Sequence, residues 1–157
     1  MSAATRATQF LKQQGVAFTL HHYDYDPEAE KIGVAAAKAM GVPAGRVLKT
    51  LMAEVDGKPV SVVVPSDREV SMKKLAAAFG GKSAAMMKPA DAERLTGYHV
   101  GGISPFGQKK RVPAAVEESA LAQASVFLNG GQRGLQVEMA PGEIVRVLKA
   151  VVAALVA

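Results

Sequence analysis

Apolar residues recur at helical spacing near the start of the chain and then alternate with polar ones. The helical part predicts a first helix, with Ser2 as its capping residue and Gly15 as its end. The apolar face of this helix carries Ala7, Phe10 and Leu11. The segment VAFTLHHY that follows, residues 16–23, has the period of two that indicates a half-buried strand.

Prolines and glycines delimit the next predicted elements. A second helix is expected from Pro27 to about Met40, because proline suits an early helical position and a glycine follows its end. The run RVLKTLMAEVDGKPVSVVVP, residues 46–65, predicts a hairpin whose turn is Asp56-Gly57. A third helix is expected from about Ser71 to Phe79, closed by two glycines.

The second half of the chain predicts strands between two helices. A short helix is expected over residues 90–96, and the segments RVPAAVEE, SVFLNGG and LQVEMAP predict strands. A last helix begins at Pro141 and includes IVRVLKAVVAALVA, where Arg146 and Lys149 favour a core-facing helix over a membrane span. Because strands and helices do not alternate regularly, an α+β fold with a mixed or mostly antiparallel sheet is predicted.

Composition narrows the class of protein. The 157 residues are expected to form one domain, 1–157, with a mainly aliphatic core, since aromatic residues make up 5% and tryptophan is absent. Cysteine is absent too, which excludes disulfides, thiolate zinc sites and a cysteine nucleophile. No apolar run or signal segment indicates a membrane, so a cytoplasmic protein is expected.

The charge balance favours a polyanionic partner. The formal net charge is +5, and the basic residues concentrate around Lys73–Lys88 and in Lys109, Lys110 and Arg111. The alternative is that these residues form solvated faces that keep the protein soluble.

Residues typical of hydrolases and metal sites do not form a recognisable motif. His21 and His22 are adjacent on a predicted strand and point to opposite faces, and His99 stands alone. No metal-ligand spacing is present, so a metal site is not expected. Ser104 lacks the G-x-S-x-G context of an activated serine, and GGKSAAM does not meet the phosphate-loop spacing.

Three weaker signals point to one kind of site. Lys49 lies in an apolar run, so it either reaches a cleft or extends to solvent along its aliphatic stem. The pattern alone favours neither interpretation over the other. The loop GGISPFG before Lys109 is shaped to bring backbone amides towards a negative group, and NGGQRG is a second glycine-rich turn. Backbone donors with one cation suit a phosphate, carbonyl or ribose better than a metal.

The segments RVLKTL, GYHVGGISPFGQKKR and FLNGGQRGLQVEMAP, in this order, resemble the YbaK/EbsC family, free-standing relatives of the editing domain of bacterial prolyl-tRNA synthetase. The likeness also includes LHHYDYDP, GVAAAKAMGVPAGRV and VVVPSDREVSMKKLA, so it covers nearly the whole chain. The resemblance implies an α+β fold with a central mixed, barrel-like β-sheet surrounded by helices. It also implies an aminoacyl-tRNA deacylase that acts on cysteine misplaced on tRNA(Pro).

The resemblance also assigns site residues. Lys49 matches the family lysine tied to activity and to the acceptor end of tRNA, with Thr50 beside it in the pocket. The loop whose backbone amides are expected to face the aminoacyl ester consists of Gly101, Gly102, Ile103, Ser104 and Pro105. Further substrate contacts are expected from Tyr25, Phe106, Asn129 and Gln136, and tRNA contacts from Lys109, Lys110 and Arg111. Asn129 stands where relatives commonly have serine, and Gln136 where they commonly have aspartate.

The family mechanism implied here needs neither a cofactor nor a protein nucleophile. The sulfur of the substrate cysteine attacks its own ester carbonyl, and the tethered attacker has an effective molarity of about 10⁵ M or more. Because correctly charged cysteinyl-tRNA carries the same thiol, prolyl-tRNA synthetase is expected as a partner. Two alternatives stay open: a deacylase for another mischarged tRNA such as Ala-tRNA(Pro), and a non-enzymatic regulator that binds tRNA or a synthetase.

Overall fold

The computed structural model describes residues 4–29 and 31–157, and these form five α-helices and eight β-strands. The helices are α1 Arg6–Gln13, α2 Ile32–Met40, α3 Met72–Ala78, α4 Pro89–Thr96 and α5 Pro141–Leu148. The strands are β1 Thr19–His22, β2 Leu48–Val55, β3 Lys58–Pro65, β4 Ala84–Met86, β5 Ala114–Glu117, β6 Val126–Asn129, β7 Leu135–Met139 and β8 Val151–Ala153.

Two sheets form the centre of the fold. The larger one has the order β4-β2-β3-β5-β8, in which β4, β2 and β3 are antiparallel neighbours and β5 runs parallel to both β3 and β8. The smaller sheet, β1-β7-β6, is antiparallel throughout. The predicted α+β fold with a mixed sheet is therefore confirmed. Its barrel-like closure is not, because one parallel bridge, between Val47 and Phe127, joins the two sheets among the described residues.

The hairpin of β2 and β3 has the predicted turn. Asp56 and Gly57 have φ values of 50° and 80°, the left-handed pair that a two-residue turn of this type requires. Pairing then runs without a break from Val55 opposite Lys58 to Leu48 opposite Pro65. This long, regular ladder holds Lys49 at a defined position in the sheet.

The ends of two predicted helices differ in the structure. Helix α1 is capped by Thr5, whose hydroxyl accepts a hydrogen bond from the Thr8 amide at 3.1 Å; the predicted cap Ser2 lies outside the described residues. Helix α2 begins at Ile32 instead of Pro27, and the Asp26 carboxylate accepts from the Glu28 amide at 2.9 Å, closing a turn over the first predicted helical residues.

The C-terminal segment is the largest departure from the sequence prediction. Helix α5 stops at Leu148, because Lys149 adopts a left-handed conformation with φ 51°. Val151–Ala153 then forms β8 along β5, where β-branched valines suit a strand better than a helix. Strand β4, Ala84–Met86, was likewise not predicted.

The core lies on both sides of the larger sheet. One cluster packs the inner face of the smaller sheet against α1 and α5 and includes Leu11, Phe106, Leu128 and Ile144. A second cluster packs β3 and β5 against α3 and the end of the chain and includes Val62, Leu75 and Leu155. Among the described residues, no helix combines the length and apolar character that crossing a membrane requires.

Glu117 fastens the end of the chain to the core. Its side chain is 3% exposed, and its carboxylate accepts hydrogen bonds from the amides of Leu155 and Ser119, both at 2.8 Å. Burial by itself raises the pKa of this carboxyl, but the hydrogen bonds outweigh burial and hold the pKa below its ordinary value. The charged form is therefore the one that stabilises the fold.

Glu117→Gln is expected to lower the free energy of unfolding at pH 7 by about 1–3 kcal/mol, since an amide oxygen accepts weaker hydrogen bonds than a carboxylate. Because the folded-state pKa is depressed, the stabilisation is complete above the pKa of the unfolded chain and is lost as pH falls through the folded value. Urea unfolding at pH 7 and at pH 4 should show the difference from the native protein shrinking on acidification. Glu118→Gln, at an exposed neighbour, should change little at either pH; equal effects at both positions would contradict the assignment.

Candidate functional site

A cavity of about 460 Å³ brings together residues from distant parts of the chain. It lies where β2, the start of α2, the loop after α4 and the adjoining ends of β6 and β7 meet. Of the residues predicted from the sequence, those that line it are Lys49, Thr50, Gly101, Ile103, Asn129 and Gln136. Its size is within the range of sites that hold a small ligand or the end of a larger one.

Lys49 reaches this cavity from β2, so the first of its two interpretations is the one that the structure favours. Its side chain is half-buried and makes no hydrogen bond or ion pair with any described residue. Lys31 and Glu69 also line the cavity, and neither forms an ion pair with Lys49. An ammonium at a cavity, with no partner among the described residues, is available to an anionic group of a ligand.

The glycine-rich loop, residues 97–107, is fixed at its base. The Tyr98 hydroxyl donates to the Phe106 carbonyl and so spans the loop; burial raises the pKa of Tyr98 to about 12, which keeps that proton in place. Phe106 is fully buried, with its ring centroid 6.1 Å from that of Phe10 on α1. Gln108 donates to the Ser104 carbonyl at 3.0 Å. Only the tip of the loop, around Gly101 and Ile103, lines the cavity.

The backbone amides of the loop tip are not equivalent. Gly102 donates to the His99 carbonyl at 2.8 Å, so its amide is already used within the loop. The amides of Gly101 and Ile103 make no hydrogen bond to another described residue. Both residues line the cavity, so these two amides are the loop-tip donors that are left for a ligand.

Asn129 and Arg133 connect the loop to the turn between β6 and β7. The Asn129 side chain donates to the Gly101 carbonyl at 3.1 Å and accepts from the Gly131 amide at 2.7 Å. The Arg133 guanidinium donates twice to the Val100 carbonyl, at 3.1 and 2.9 Å. Two glycine-rich segments that are far apart in sequence are therefore held as one unit.

Tyr25 supports this unit from outside the cavity. The Arg133 guanidinium lies over its ring, 5.3 Å from the centroid. The loop comes so close to the Tyr25 hydroxyl oxygen that a Cβ on Gly101 would lie only 2.6 Å from it. A side chain at Gly101 would thus collide with Tyr25, which explains the glycine at this position beyond its φ of 91°.

Two polar atoms in the cavity wall lack a protein partner. The Thr50 hydroxyl and Gln136 Oε1 are buried without a hydrogen bond to any described residue, although both residues line the cavity. The Tyr23 hydroxyl lies beside Gln136 without a hydrogen bond of good geometry, and burial raises its pKa, so it stays protonated. Since buried polar atoms are rarely left unpaired, a ligand group that donates hydrogen bonds suits this wall.

Several residues expected at the site lie elsewhere. Ser104 and Phe106 are fully buried, and the Ser104 hydroxyl accepts from the Phe106 amide at 3.2 Å within a local turn. Pro105 and Arg111 line a separate small cavity of about 110 Å³ behind the loop. The reason is that the loop reverses after Ile103, so its second half packs into the core.

The sequence analysis missed part of the wall. The start of α2 contributes Lys31, Ile32 and Gly33, and the end of β4 with the residue after it contributes Met86 and Met87. Met86 and Val100 are 47% and 41% exposed, and both lie at this cavity. Two adjacent methionines between charged segments were a possible signal, but a core position was equally consistent with them.

The histidines lie away from the cavity wall. His21 Nε2 is 2.9 Å from Glu138 Oε1, and His99 Nδ1 is 3.6 Å from Glu93 Oε2. Within residues 4–29 and 31–157, no group of three or more histidine, aspartate or glutamate side chains is arranged to hold a metal ion.

Comparison with known proteins gives a consistent result. Residues 26–147 match the model of the aminoacyl-tRNA editing domain. EbsC of Enterococcus faecalis, whose name proposes a Cys-tRNA(Pro)/Cys-tRNA(Cys) deacylase, is 35% identical over 142 residues, which cover 89% of this chain and 85% of EbsC. A proline–tRNA ligase of Nitratidesulfovibrio vulgaris is 40% identical over 80 residues, half of this chain but only 14% of the ligase.

Solved structures show the same fold. One, described as a proposed trans-editing enzyme for prolyl-tRNA synthetase, superposes with a TM-score of 0.82 at 23% identity and covers 99% of both chains. Another, of a protein described as hypothetical, gives a TM-score of 0.84 at 24% identity and covers 97% of this chain and 99% of the other.

Proposed function

Because the chain belongs to the aminoacyl-tRNA editing domain family, we propose that it is a deacylase that removes cysteine wrongly attached to tRNA(Pro). The observation that carries the proposal is one cavity that holds the Lys49 ammonium and the amides of Gly101 and Ile103, none of which has a hydrogen-bond partner among the described residues. An aminoacyl ester at the end of a tRNA presents a phosphate and a carbonyl oxygen close together, and these are the two groups that such a set of donors binds.

Each part of the cavity wall has a role in this proposal. Lys49 binds the phosphate next to the terminal ribose, and the two free amides stabilise the oxyanion that forms at the ester carbonyl. Thr50 and Gln136 accept hydrogen bonds from the α-ammonium group or the ribose hydroxyl of the aminoacyl end. Asn129, Arg133 and Tyr25 hold the loop in place, and Asn129 also lines the cavity, where it can contact the substrate.

In this mechanism the substrate's own thiol breaks the aminoacyl ester bond. The thiol of the bound cysteine loses its proton and its sulfur attacks the ester carbonyl. The C–O bond to the ribose then breaks, the ribose oxygen takes up a proton, and a cyclic thiolactone leaves. The protein needs only to hold the aminoacyl end of the substrate bent and to stabilise the oxyanion. Neither task requires a cysteine, and the sequence has none.

Selectivity against proline follows from the chemistry, since proline has no thiol. A pocket that relied on size would separate the two poorly, because one methylene is worth about 1–3 kcal/mol. Correctly charged cysteinyl-tRNA has the same reactive end, so we propose that prolyl-tRNA synthetase presents the right tRNA. The cytoplasm, where tRNA is charged, is the proposed location.

The test is to incubate the purified protein with Cys-tRNA(Pro), Ser-tRNA(Pro) and Ala-tRNA(Pro) and to identify the products. We expect cysteine to be released far faster than serine, about 10²-fold or more, with thiolactone as the first product. Equal rates for cysteine and serine would contradict sulfur attack. Preferred cleavage of Ala-tRNA(Pro) would assign the enzyme to another substrate, for which the neutral Gln136 leaves room. Release of no amino acid above the buffer control would leave only the regulatory alternative.

A further inference from the structure

A second groove adjoins the proposed active site. It has a volume of about 510 Å³ and shares the lining residue Met87 with the first cavity, so the two lie next to each other at that residue. Lys109 and Lys110 line this groove, whereas Arg111 lines the small cavity behind the loop. The three consecutive basic residues are therefore not one patch.

The backbone of the two lysines is firmly held. The Lys109 amide donates to the Thr96 carbonyl at 2.8 Å, and the Lys110 amide donates to the Leu95 carbonyl at 3.1 Å. Both side chains are exposed and form no ion pair with a described residue. Two ammonium groups thus stand on a rigid base at the groove and are free to bind an anion.

The rest of the groove has both charge and apolar surface. Arg94 is paired with Asp91 on the same helix, and Glu54 is the other carboxylate that lines the groove, without a salt bridge to a described residue. Pro59, Met87 and Leu95 also line the groove and provide apolar surface. Cations together with apolar side chains suit a single-stranded nucleotide segment, whose phosphates bind lysine and whose bases can pack against the apolar groups.

We propose that this groove binds the single-stranded nucleotides that precede the terminal nucleoside of the tRNA acceptor end, with Lys109 and Lys110 on their phosphates. The proposal rests on the proposed function, because it takes the terminal nucleoside to lie in the first cavity. Met87 then marks the point where the strand passes from the groove into the cavity. Arg111 makes no contact with this segment.

The experiment compares three substrates of increasing length: the cysteinyl ester of adenosine, the cysteinyl ester of the trinucleotide CCA, and Cys-tRNA(Pro). We expect the double variant Lys109→Ala/Lys110→Ala to lower the ratio of kcat/KM for the trinucleotide to that for adenosine by about tenfold. Loss of two single-strand phosphate contacts should also make the salt dependence of log K for CCA binding less steep by about 1.4. The matched control is Lys12→Ala/Lys38→Ala, which removes the same charge from exposed helical positions.

The outcomes separate this proposal from its premise. An unchanged ratio, or an equal fall in the control, would overturn the groove proposal while deacylation stands. A fall in kcat/KM of the double variant that is seen only with whole tRNA would overturn the groove proposal and place the two lysines on the duplex stem instead. Binding of uncharged CCA, measured by fluorescence anisotropy, tests the groove even if no variant cleaves any ester. Undiminished CCA binding by the double variant, or displacement of CCA by an acidic peptide but not by a second oligonucleotide, would overturn the proposal.

Discussion

Replacing Lys49 by alanine is expected to lower kcat/KM for Cys-tRNA(Pro) by about 10²–10³-fold, the usual cost of removing one fixed electrostatic group from an active site. Lys49 lies on β2 of the larger sheet and lines the proposed reaction cavity. Its ammonium has no protein partner among the described residues. For the same reason its loss should not destabilise the fold. Single-turnover deacylation and urea unfolding, measured on the same preparation, check both halves of the prediction.

Two further variants make the Lys49 result specific. Lys49→Arg keeps the charge but places it on a longer, planar group, so partial activity is expected. Lys58→Ala removes an exposed lysine from the other strand of the same hairpin and should retain wild-type activity. If Lys49→Ala deacylated as fast as the native protein, the assignment of this cavity as the reaction site would be untenable.

Gly107→Ala is expected to lower the free energy of unfolding by about 2–5 kcal/mol, from left-handed strain and overpacking together. Gly107 has φ 62°, and a Cβ there would lie 2.4 Å from the Arg6 carbonyl oxygen and 2.7 Å from the Arg6 carbonyl carbon. These are backbone atoms of the first turn of α1, so they cannot move aside as a flexible side chain could. The clash would push the loop away from α1, and deacylation should fall together with stability.

Gly41→Ala is the matched control for this substitution. Gly41 also has a left-handed conformation, φ 70°, but a Cβ there would have no heavy atom within 4 Å. Gly41→Ala should lower the free energy of unfolding by only about 1–2 kcal/mol, since backbone strain is then the only cost. Chemical denaturation of both variants measures the difference, and equal losses would show that contact with α1 does not explain the glycine at 107.

The fold illustrates what short-range patterns can and cannot predict. The hairpin of β2 and β3 was predicted because Asp56-Gly57 and the flanking alternation are local signals. The strand at Val151–Ala153 was not, because its partner β5 is more than 30 residues away in sequence and helix and strand patterns look alike in a run of valine and alanine. Lys149, whose left-handed conformation ends α5 just before β8, is not a glycine, so its residue type did not predict a turn at this position.

The sequence alone determined the kind of chemistry at this site: backbone amides from a glycine-rich loop, one lysine within an apolar run, and no thiol. Residue types and their order carry that information because they set which donors, cations and turns are possible. Only the tertiary structure decided which of these groups meet. It turned Phe106 and Ser104 into the core, separated Arg111 from Lys109 and Lys110, and joined Gly101 to Asn129 and Val100 to Arg133. Such contacts depend on how a loop reverses over packed neighbours, and that is a property of the whole core.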